Sequence, residues 1–290
     1  DEAAPYVDAL LPGGGRLHCV IPPVAVDGTL ISIRVPNRVA LTLDDLVRRG
    51  SVDADGAALL RSIVDARLAT LVSGGTGSGK TTVLSMLLGL VPTTHRIVVV
   101  EDSTELRPDH PHVARLQARV PNVEGAGAVS LRDLVRQALR MRPDRLVVGE
   151  VRGAEVVDLL AAMNTGHDGS MCTLHANSAR ECLGRMENMI LMGDIKIPKE
   201  AISRQIAESV DLIVQVKRLR DGSRRTTGIT EVIGMEGDVI VTQELFKFEY
   251  LDESEDGKII GEFRASGLRP YTLEKARQFG FDQAYLEACL

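Results

Sequence analysis

Residues 74–82 read GGTGSGKTT, from Gly74 to Thr82. They satisfy the pattern G-x-x-x-x-G-K-[ST] at every position, with an apolar run at 68–72 before them and helical patterning at 80–90 after them. Glycines let successive backbone N–H groups turn toward an anion without a Cβ clash, and the positive end of the next helix points at the same anion. This stretch therefore predicts a phosphate-binding loop between a strand and a helix.

Two side chains of this loop predict its ligands. Lys80 is placed to reach the β- and γ-phosphates of a nucleoside triphosphate, and the Thr81 hydroxyl is placed to bind Mg²⁺. A glycine-rich turn before an ordinary helix would need the whole pattern to arise by coincidence, so we interpret the loop as an ATP site with Mg²⁺ as a cofactor. The predicted nucleotide-binding residues are Gly75, Thr76, Gly77, Ser78, Gly79, Lys80, Thr81 and Thr82.

Carboxylates follow two further apolar runs that pattern as buried strands. Glu101 and Asp102 follow the run IVVV, and Glu150 follows the run LVV after one glycine. In P-loop enzymes an acid in this position lies near Mg²⁺ and its water, and two such acids can divide the work of orienting the water and holding the metal. We therefore predict that Thr81, Glu150 and Asp102 hold Mg²⁺, partly through water. Acids that only cap the next helix are the alternative.

His167 and His175 flank a third short run, MCTL, that patterns as a strand. A single histidine beside a strand is more often a structural residue than a catalytic one, although its pKa near neutrality also suits a catalytic role. From the residues alone, both interpretations stay open for each histidine.

Apolar runs alternate with amphipathic helical segments over most of the chain. This pattern predicts an α/β fold with a mostly parallel sheet that is covered on both faces. Ser130, followed three residues later by Asp133, predicts a capped helix start. Residues 1–35 alternate short apolar runs with proline and glycine, which predicts strands joined by turns, and residues 221–223 predict the turn of a hairpin.

The composition limits the possible classes of protein. Apolar residues make up 44% and charged residues 26% of the 290 residues, as in globular proteins. The net charge of −6 gives no overall attraction to nucleic acid, so we expect no nucleic-acid partner. Four widely spaced cysteines without a C-x-x-C pair favour a reduced, cytoplasmic setting. The chain starts at Asp1 within strand-like sequence, and we expect it to be a fragment of a longer protein.

Four segments, in this order, resemble the motifs of the secretion ATPase superfamily, which powers type II and type IV secretion and type IV pili. They are 74–82, 100–106 (VEDSTEL), 141–153 (MRPDRLVVGEVRG) and 162–178 (AMNTGHDGSMCTLHANS), similar to the Walker A motif, the Asp box, the Walker B motif and the His box. The likeness is closest to the tight-adherence (Flp) pilus group, TadA/CpaF-like, through 121–125 (PNVEG) and 221–225 (DGSRR). The tetracysteine zinc module of many type II secretion ATPases is absent from the sequence, which disfavours that branch.

The resemblance implies an organisation and an assembly. Residues 51–290 would form a RecA-like P-loop ATPase core, residues 41–50 a linker, and residues 1–40 the remnant of a smaller α+β N-terminal domain. The whole would be a homo-hexameric motor at the cytoplasmic, inner face of the membrane, where it acts on an inner-membrane platform protein. A P-loop small-molecule kinase and a RecA-like DNA motor are the alternatives. A GTPase is disfavoured because the sequence has no N-K-x-D segment.

The resemblance also implies roles for the acids and histidines. Glu101 would be the base that activates water, and Glu150 would be the acid near Mg²⁺. His175 and His167 would sense the γ-phosphate across the active site.

The resemblance also implies roles for two arginines of the smaller domain. Arg16 and Arg34 lie where the superfamily has arginines that reach the phosphates. A guanidinium is permanently charged and can donate two parallel hydrogen bonds to phosphate oxygens. Exposed strand arginines without such a role are the alternative.

Overall fold

The computed structural model describes residues 3–12, 14–35, 41–122, 125–193 and 197–290. The chain divides into two compact units, Asp1–Ala40 and Leu41–Leu290. Residues 36–40, at the end of the predicted N-terminal remnant, lie outside the described residues, as do Val123 and Glu124 of the segment that resembles the tight-adherence group.

The smaller unit contains a three-stranded antiparallel sheet of β1 (Tyr6–Leu10), β2 (Arg16–Val20) and β3 (Leu30–Arg34). Strand β2 lies in the middle and pairs with both others, and Arg16 is directly opposite Arg34. All five residues of β3 are exposed. The strands joined by turns that the sequence predicts are therefore present in this unit.

The larger unit is built on a nine-stranded sheet with the order β12-β11-β10-β9-β4-β8-β7-β5-β6. Its strands are β4 (Thr70–Gly74), β5 (Ile97–Glu101), β6 (Val113–Gln117), β7 (Arg145–Val148), β8 (Met171–Leu174), β9 (Leu212–Arg218), β10 (Arg224–Glu236), β11 (Val239–Glu253) and β12 (Ile259–Ala265). The six strands from β9 to β6 pair in parallel, and β10, β11 and β12 extend the sheet in antiparallel fashion. The hairpin predicted around residues 221–223 joins β9 to β10.

Nine helices of the described residues accompany this sheet. They are α1 (Leu43–Arg48), α2 (Ala54–Asp65), α3 (Lys80–Gly89), α4 (Leu131–Leu139), α5 (Glu155–Asn164), α6 (Ala179–Leu191), α7 (Lys199–Ser209), α8 (Leu273–Gln278) and α9 (Asp282–Cys289). Ser130 caps α4 as predicted, because its hydroxyl accepts the Asp133 backbone N–H at 3.1 Å. Within the described residues, none of the helices is long and apolar enough to cross a lipid bilayer.

The core consists of two apolar layers, one on each face of the parallel strands. Successive residues of a strand point to opposite faces. Leu71 of β4 accordingly packs in a layer with α4 to α7, whereas Val72 packs in a layer with α1 to α3, α8 and α9. Every residue of β4, β5, β7 and β8 is buried, so these strands form the buried centre of the unit.

The segment 41–50, which we expected to be a linker, contributes to this core. Thr42 caps α1, and Leu43 and Leu46 are buried in the layer that includes α2 and α3. The helix covers apolar surface of the larger unit, so the segment is an integral part of that unit.

Candidate nucleotide-binding site

The glycine-rich loop leaves β4 at Gly74 and enters α3 at Lys80. A Cβ on Gly74 would lie 2.4 Å from the Val216 carbonyl oxygen, so the loop can leave the sheet beside β9 only with glycine at this position. Gly79, the residue before the helix, has a φ of 101°, a left-handed conformation that side chains with a Cβ rarely adopt. The local sequence thus produces the sharp strand-to-helix turn that the motif predicts.

The predicted nucleotide-binding residues lie together in this turn. Gly75, Thr76, Gly77, Ser78 and Gly79 form the loop, and Lys80, Thr81 and Thr82 form the first turn of α3. The Gly75 carbonyl oxygen accepts hydrogen bonds from the Ser78 hydroxyl at 2.8 Å and from Lys80 Nζ at 3.0 Å. These donors, together with the N-terminus of α3, are groups that also bind phosphate oxygens.

Lys80 is buried although it carries an ammonium group. Burial lowers the pKa of Lys80, and the nearby Glu150 carboxylate opposes this shift. An ammonium that is removed from water in this way interacts strongly with an anion placed beside it.

Glu150 and His175 join Lys80 at the mouth of the loop. His175 Nε2 lies 2.7 Å from Glu150 Oε1 and 3.2 Å from Lys80 Nζ. Strands β4, β8 and β7 are parallel neighbours, so the residues that follow them meet at one edge of the sheet. The side chains of His175 and Glu150 are 36% and 21% exposed, so a ligand can reach them. Burial, followed by the charge of Lys80, lowers the pKa of His175.

Glu101 lies farther from the loop, at the end of β5. Strand β5 is the third strand from β4, so at about 4.8 Å per strand its end is roughly 14 Å from the loop. Glu101 Oε1 accepts the backbone N–H groups of Glu105 and Leu106, each at 2.9 Å, and burial raises the pKa of its carboxyl. A Cβ on Gly149 would lie 2.6 Å from Glu101 Cγ, so this side chain covers the end of β7.

Arg152 belongs to this edge of the sheet, and sequence reasoning did not assign it a role. Its Nε donates to Glu150 Oε2 at 2.9 Å, and this hydrogen bond raises the pKa of Arg152. The negative charges of Asp102 and Glu105, which follow β5, also raise the pKa of Arg152. The available signal was its position, two residues after Glu150.

Arg224 is a second residue that sequence reasoning missed. Its Nε donates to the Gly77 carbonyl oxygen at 2.8 Å, so it contacts the loop directly. The sequence signal was the segment 221–225, which carried the likeness to the tight-adherence group.

The structure does not bring His167 to the loop of its own chain. His167 precedes β8, whereas His175 follows it, so the two histidines lie at opposite edges of the sheet. The His167 carbonyl accepts the Ser170 hydroxyl at 2.7 Å, and His167 Nδ1 is buried without a hydrogen-bond partner among the described residues. The expectation that His167 senses the phosphate does not fit this placement within one chain. Arg16 and Arg34 belong to the smaller unit, and their roles stay predictions.

A parallel sheet covered on both faces, with this loop between a central strand and a helix, defines a P-loop nucleotide-binding protein. The chain belongs to the type II/IV secretion system protein family, whose family model matches residues 1–247. It is 51% identical over 245 residues to a Mycobacterium tuberculosis protein named for conjugal transfer. The alignment covers 82% of this chain and 69% of that protein.

Two further comparisons extend this result. The chain is 36% identical over 248 residues to the type IV secretion system protein PtlH of Bordetella pertussis, a match of 76% of this chain and 73% of that protein. It is similar to the crystal structure of the VirB11 ATPase from the Brucella suis type IV secretion system in complex with sulphate, with 29% identity and a TM-score of 0.53 over 79% of this chain and 76% of that one. These findings confirm the predicted fold class, an α/β, RecA-like ATPase core.

Proposed function

We propose that this chain hydrolyses ATP as the motor subunit of a secretion or pilus-assembly machine. The observation that carries the proposal is the convergence of Lys80, Glu150 and His175, which come from three separate motifs, at the mouth of one phosphate-binding loop. Family membership and the secretion and conjugation relatives support a motor over a small-molecule kinase.

Each group at this edge has a role in the proposed reaction. Lys80 and the backbone N–H groups of the loop would bind the phosphates. Thr81, with Glu150 and Asp102 partly through water, would hold Mg²⁺, which neutralises phosphate charge when bound. Glu101 would accept the proton of the attacking water, because a buried carboxylate with a raised pKa is a stronger base than an exposed one.

The assignment of the chain to one subgroup of the family rests on the sequence motifs. Segments 121–125 and 221–225 favour the tight-adherence (Flp) pilus group, TadA/CpaF-like. In that assignment the chain acts as a homo-hexamer at the cytoplasmic face of the inner membrane and engages a platform protein there. Residues 1–40 would belong to the smaller domain that supplies Arg16 and Arg34, and hydrolysis would change the angle between this domain and the ATPase core.

The test is ATP turnover by the purified chain with Mg²⁺, without any phosphate acceptor and with or without DNA. A motor hydrolyses ATP with water alone, whereas a kinase barely turns over without its acceptor and a DNA motor is stimulated by DNA. We expect Glu150→Gln to bind ATP with near-normal affinity and to hydrolyse it poorly. If the wild-type chain does not bind adenine nucleotide in the presence of Mg²⁺, the proposal is wrong.

The proposed hexamer is tested by measuring the particle mass in solution with and without a non-hydrolysable ATP analogue. A mass of six chains supports the ring, and a monomer under both conditions contradicts it for this chain. Arg34→Ala should then lower hydrolysis more than nucleotide binding, and unchanged kinetics would leave Arg34 as a surface residue.

A further inference from the structure

Arg224, the first residue of β10, packs on the phosphate-binding loop from a distant part of the chain. Its Nε donates to the Gly77 carbonyl oxygen at 2.8 Å across a sequence separation of 147 residues. A Cβ on Gly79 would lie 3.4 Å from Arg224 Cδ, so the side-chain stem also covers Gly79. The contact therefore depends on the tertiary fold and restrains the part of the loop just before α3.

The backbone that carries Arg224 is held firmly in place. Asp221 accepts the backbone N–H of Ile259 at 3.0 Å, and this bond, with those from the turn itself, lowers the pKa of Asp221 to about 2. Arg225 Cζ lies 4.7 Å from the centre of the Phe248 ring. The turn between β9 and β10 is thus held by contacts with β11 and β12. These contacts fix the position of the backbone from which the Arg224 side chain reaches the loop.

The contact with Gly77 decides the direction of the next backbone N–H group. The peptide bond between Gly77 and Ser78 is planar and trans, so its C=O and N–H point in opposite directions. While Arg224 holds the carbonyl, the Ser78 N–H points toward the Gly75 carbonyl oxygen, with an N···O distance of 3.4 Å. Lys80 Nζ donates to the same oxygen at 3.0 Å, so the N–H faces the point where the loop's donors converge.

Without the hydrogen bond from Arg224, the Gly77–Ser78 peptide could rotate to the reversed orientation at little cost in free energy. Gly77 has a φ of 70°, and glycine has no Cβ to prevent rotation to other conformations. In the reversed orientation, the partial negative charge of the Gly77 carbonyl would face the phosphates instead of the Ser78 N–H. Such an arrangement would repel the ligand.

We infer that Arg224 is a positioning residue for nucleotide binding, which fixes the Gly77–Ser78 peptide so that its N–H faces the phosphates. The inference rests on the proposed function, because it requires ATP at this loop. Arg218 provides a matched control: it lies directly opposite Arg224 in the β9–β10 pair and is exposed. Within the described part of the chain, the Arg218 side chain makes no hydrogen bond or ion pair.

The experiment measures the dissociation constants of ADP and ATP and the steady-state hydrolysis of ATP for Arg224→Gln, Arg224→Lys and Arg218→Gln. A P-loop backbone binds the phosphates that ADP and ATP share. We therefore expect Arg224→Gln to raise both dissociation constants by the same factor, about tenfold, while kcat stays within about twofold. Arg224→Lys keeps a donor and should recover most of the affinity, and Arg218→Gln should remain within about twofold of wild type.

Three results would overturn the inference. The first is a fall in kcat with unchanged ADP affinity, which would indicate that Arg224 contacts the γ-phosphate directly. The second is an equal loss for Arg218→Gln and Arg224→Gln, which would indicate a general effect of positive charge. The third is unchanged affinity in Arg224→Gln. A wild-type chain that binds no nucleotide would instead refute the proposed function itself.

Discussion

The two edges of the parallel sheet carry the same kinds of side chain in different surroundings. At the carboxyl edge, where the strands end, lie the glycine-rich loop, Glu150 and His175. At the amino edge, where the strands begin, lie Arg145 and Asp211. Both edges combine basic and acidic groups, so residue type alone does not separate a binding site from a structural cluster.

Arg145 and Asp211 at the amino edge each bind at least one backbone group. Arg145 is fully buried and donates to the Val64 carbonyl at 3.0 Å and the Asp168 carbonyl at 3.2 Å, and burial lowers its pKa to about 10. Asp211 accepts the Ala69 N–H at 2.6 Å and Lys275 Nζ at 2.7 Å. Groups that already serve backbone partners in a closed interior are not available to a ligand.

The charges at the carboxyl edge bind mainly one another. Lys80, His175, Glu150 and Arg152 form a chain of side-chain contacts, and all except Lys80 are partly exposed. Such contacts can be exchanged for contacts with a ligand with little loss, because His175, Glu150 and Arg152 stay within reach of water. The kind of partner and the exposure, rather than the residue types, therefore distinguish the site from the scaffold.

Lys80→Ala should give the largest effect at the carboxyl edge. The substitution removes the ammonium that would meet the β- and γ-phosphates, and we expect ATP turnover to fall at least about a thousandfold. The measurement is phosphate release at saturating ATP. Lys217→Ala, at an exposed lysine of β9, is the control and should retain turnover. Substantial activity in Lys80→Ala would show that the Lys80 ammonium is not needed for catalysis at the carboxyl edge.

Glu101→Gln should lower turnover by about a hundredfold while leaving ATP binding intact, since it removes a base and keeps the shape. The pH profile gives an independent check. Only the ionised carboxylate accepts a proton, and burial raises the pKa of Glu101, so wild-type turnover should be lost as the pH falls through this raised pKa. The acid limb of the profile should be absent in Glu101→Gln. Near-normal turnover in this variant would show that another group is the base.

The sequence predicted the carboxyl edge well because its signals are local. The loop follows one strand, and Glu101 and Glu150 follow two others, so strand ends alone brought these acids to the same edge. The Arg224 contact spans 147 residues and depends on how β9 and β10 pair, which no local pattern reports. For His167 the signal was present: a residue that precedes a parallel strand lies at the amino edge, away from the loop.

The same substitution at the arginine that begins β7 and at an arginine that follows β7 should separate the roles of the two edges. Arg145→Met leaves the Val64 and Asp168 carbonyls without their buried donor, and we expect a loss of about 2–4 kcal/mol in the free energy of unfolding with unchanged ATP affinity in the folded fraction. Arg152→Met should leave stability within about 0.5 kcal/mol, since Arg152 is 63% exposed, and should change ATP turnover. Urea unfolding and hydrolysis assays distinguish these outcomes. A reversed pattern would mean that the edges have been assigned the wrong way round.

His167→Ala should have the smallest effect. The carbonyl that accepts the Ser170 hydroxyl belongs to the backbone and survives the substitution, and the imidazole lies at the amino edge, so ATP turnover should stay within about twofold of wild type. His175→Ala, at the other end of β8, removes the contacts with Glu150 and Lys80 and should lower turnover by at least about tenfold. The ATP turnover of both variants is best measured at protein concentrations above and below that at which the chains assemble. If His167→Ala is as damaging as His175→Ala only in the assembled protein, His167 acts on the site of another copy, and the division between the two edges holds within one chain but not across the assembly.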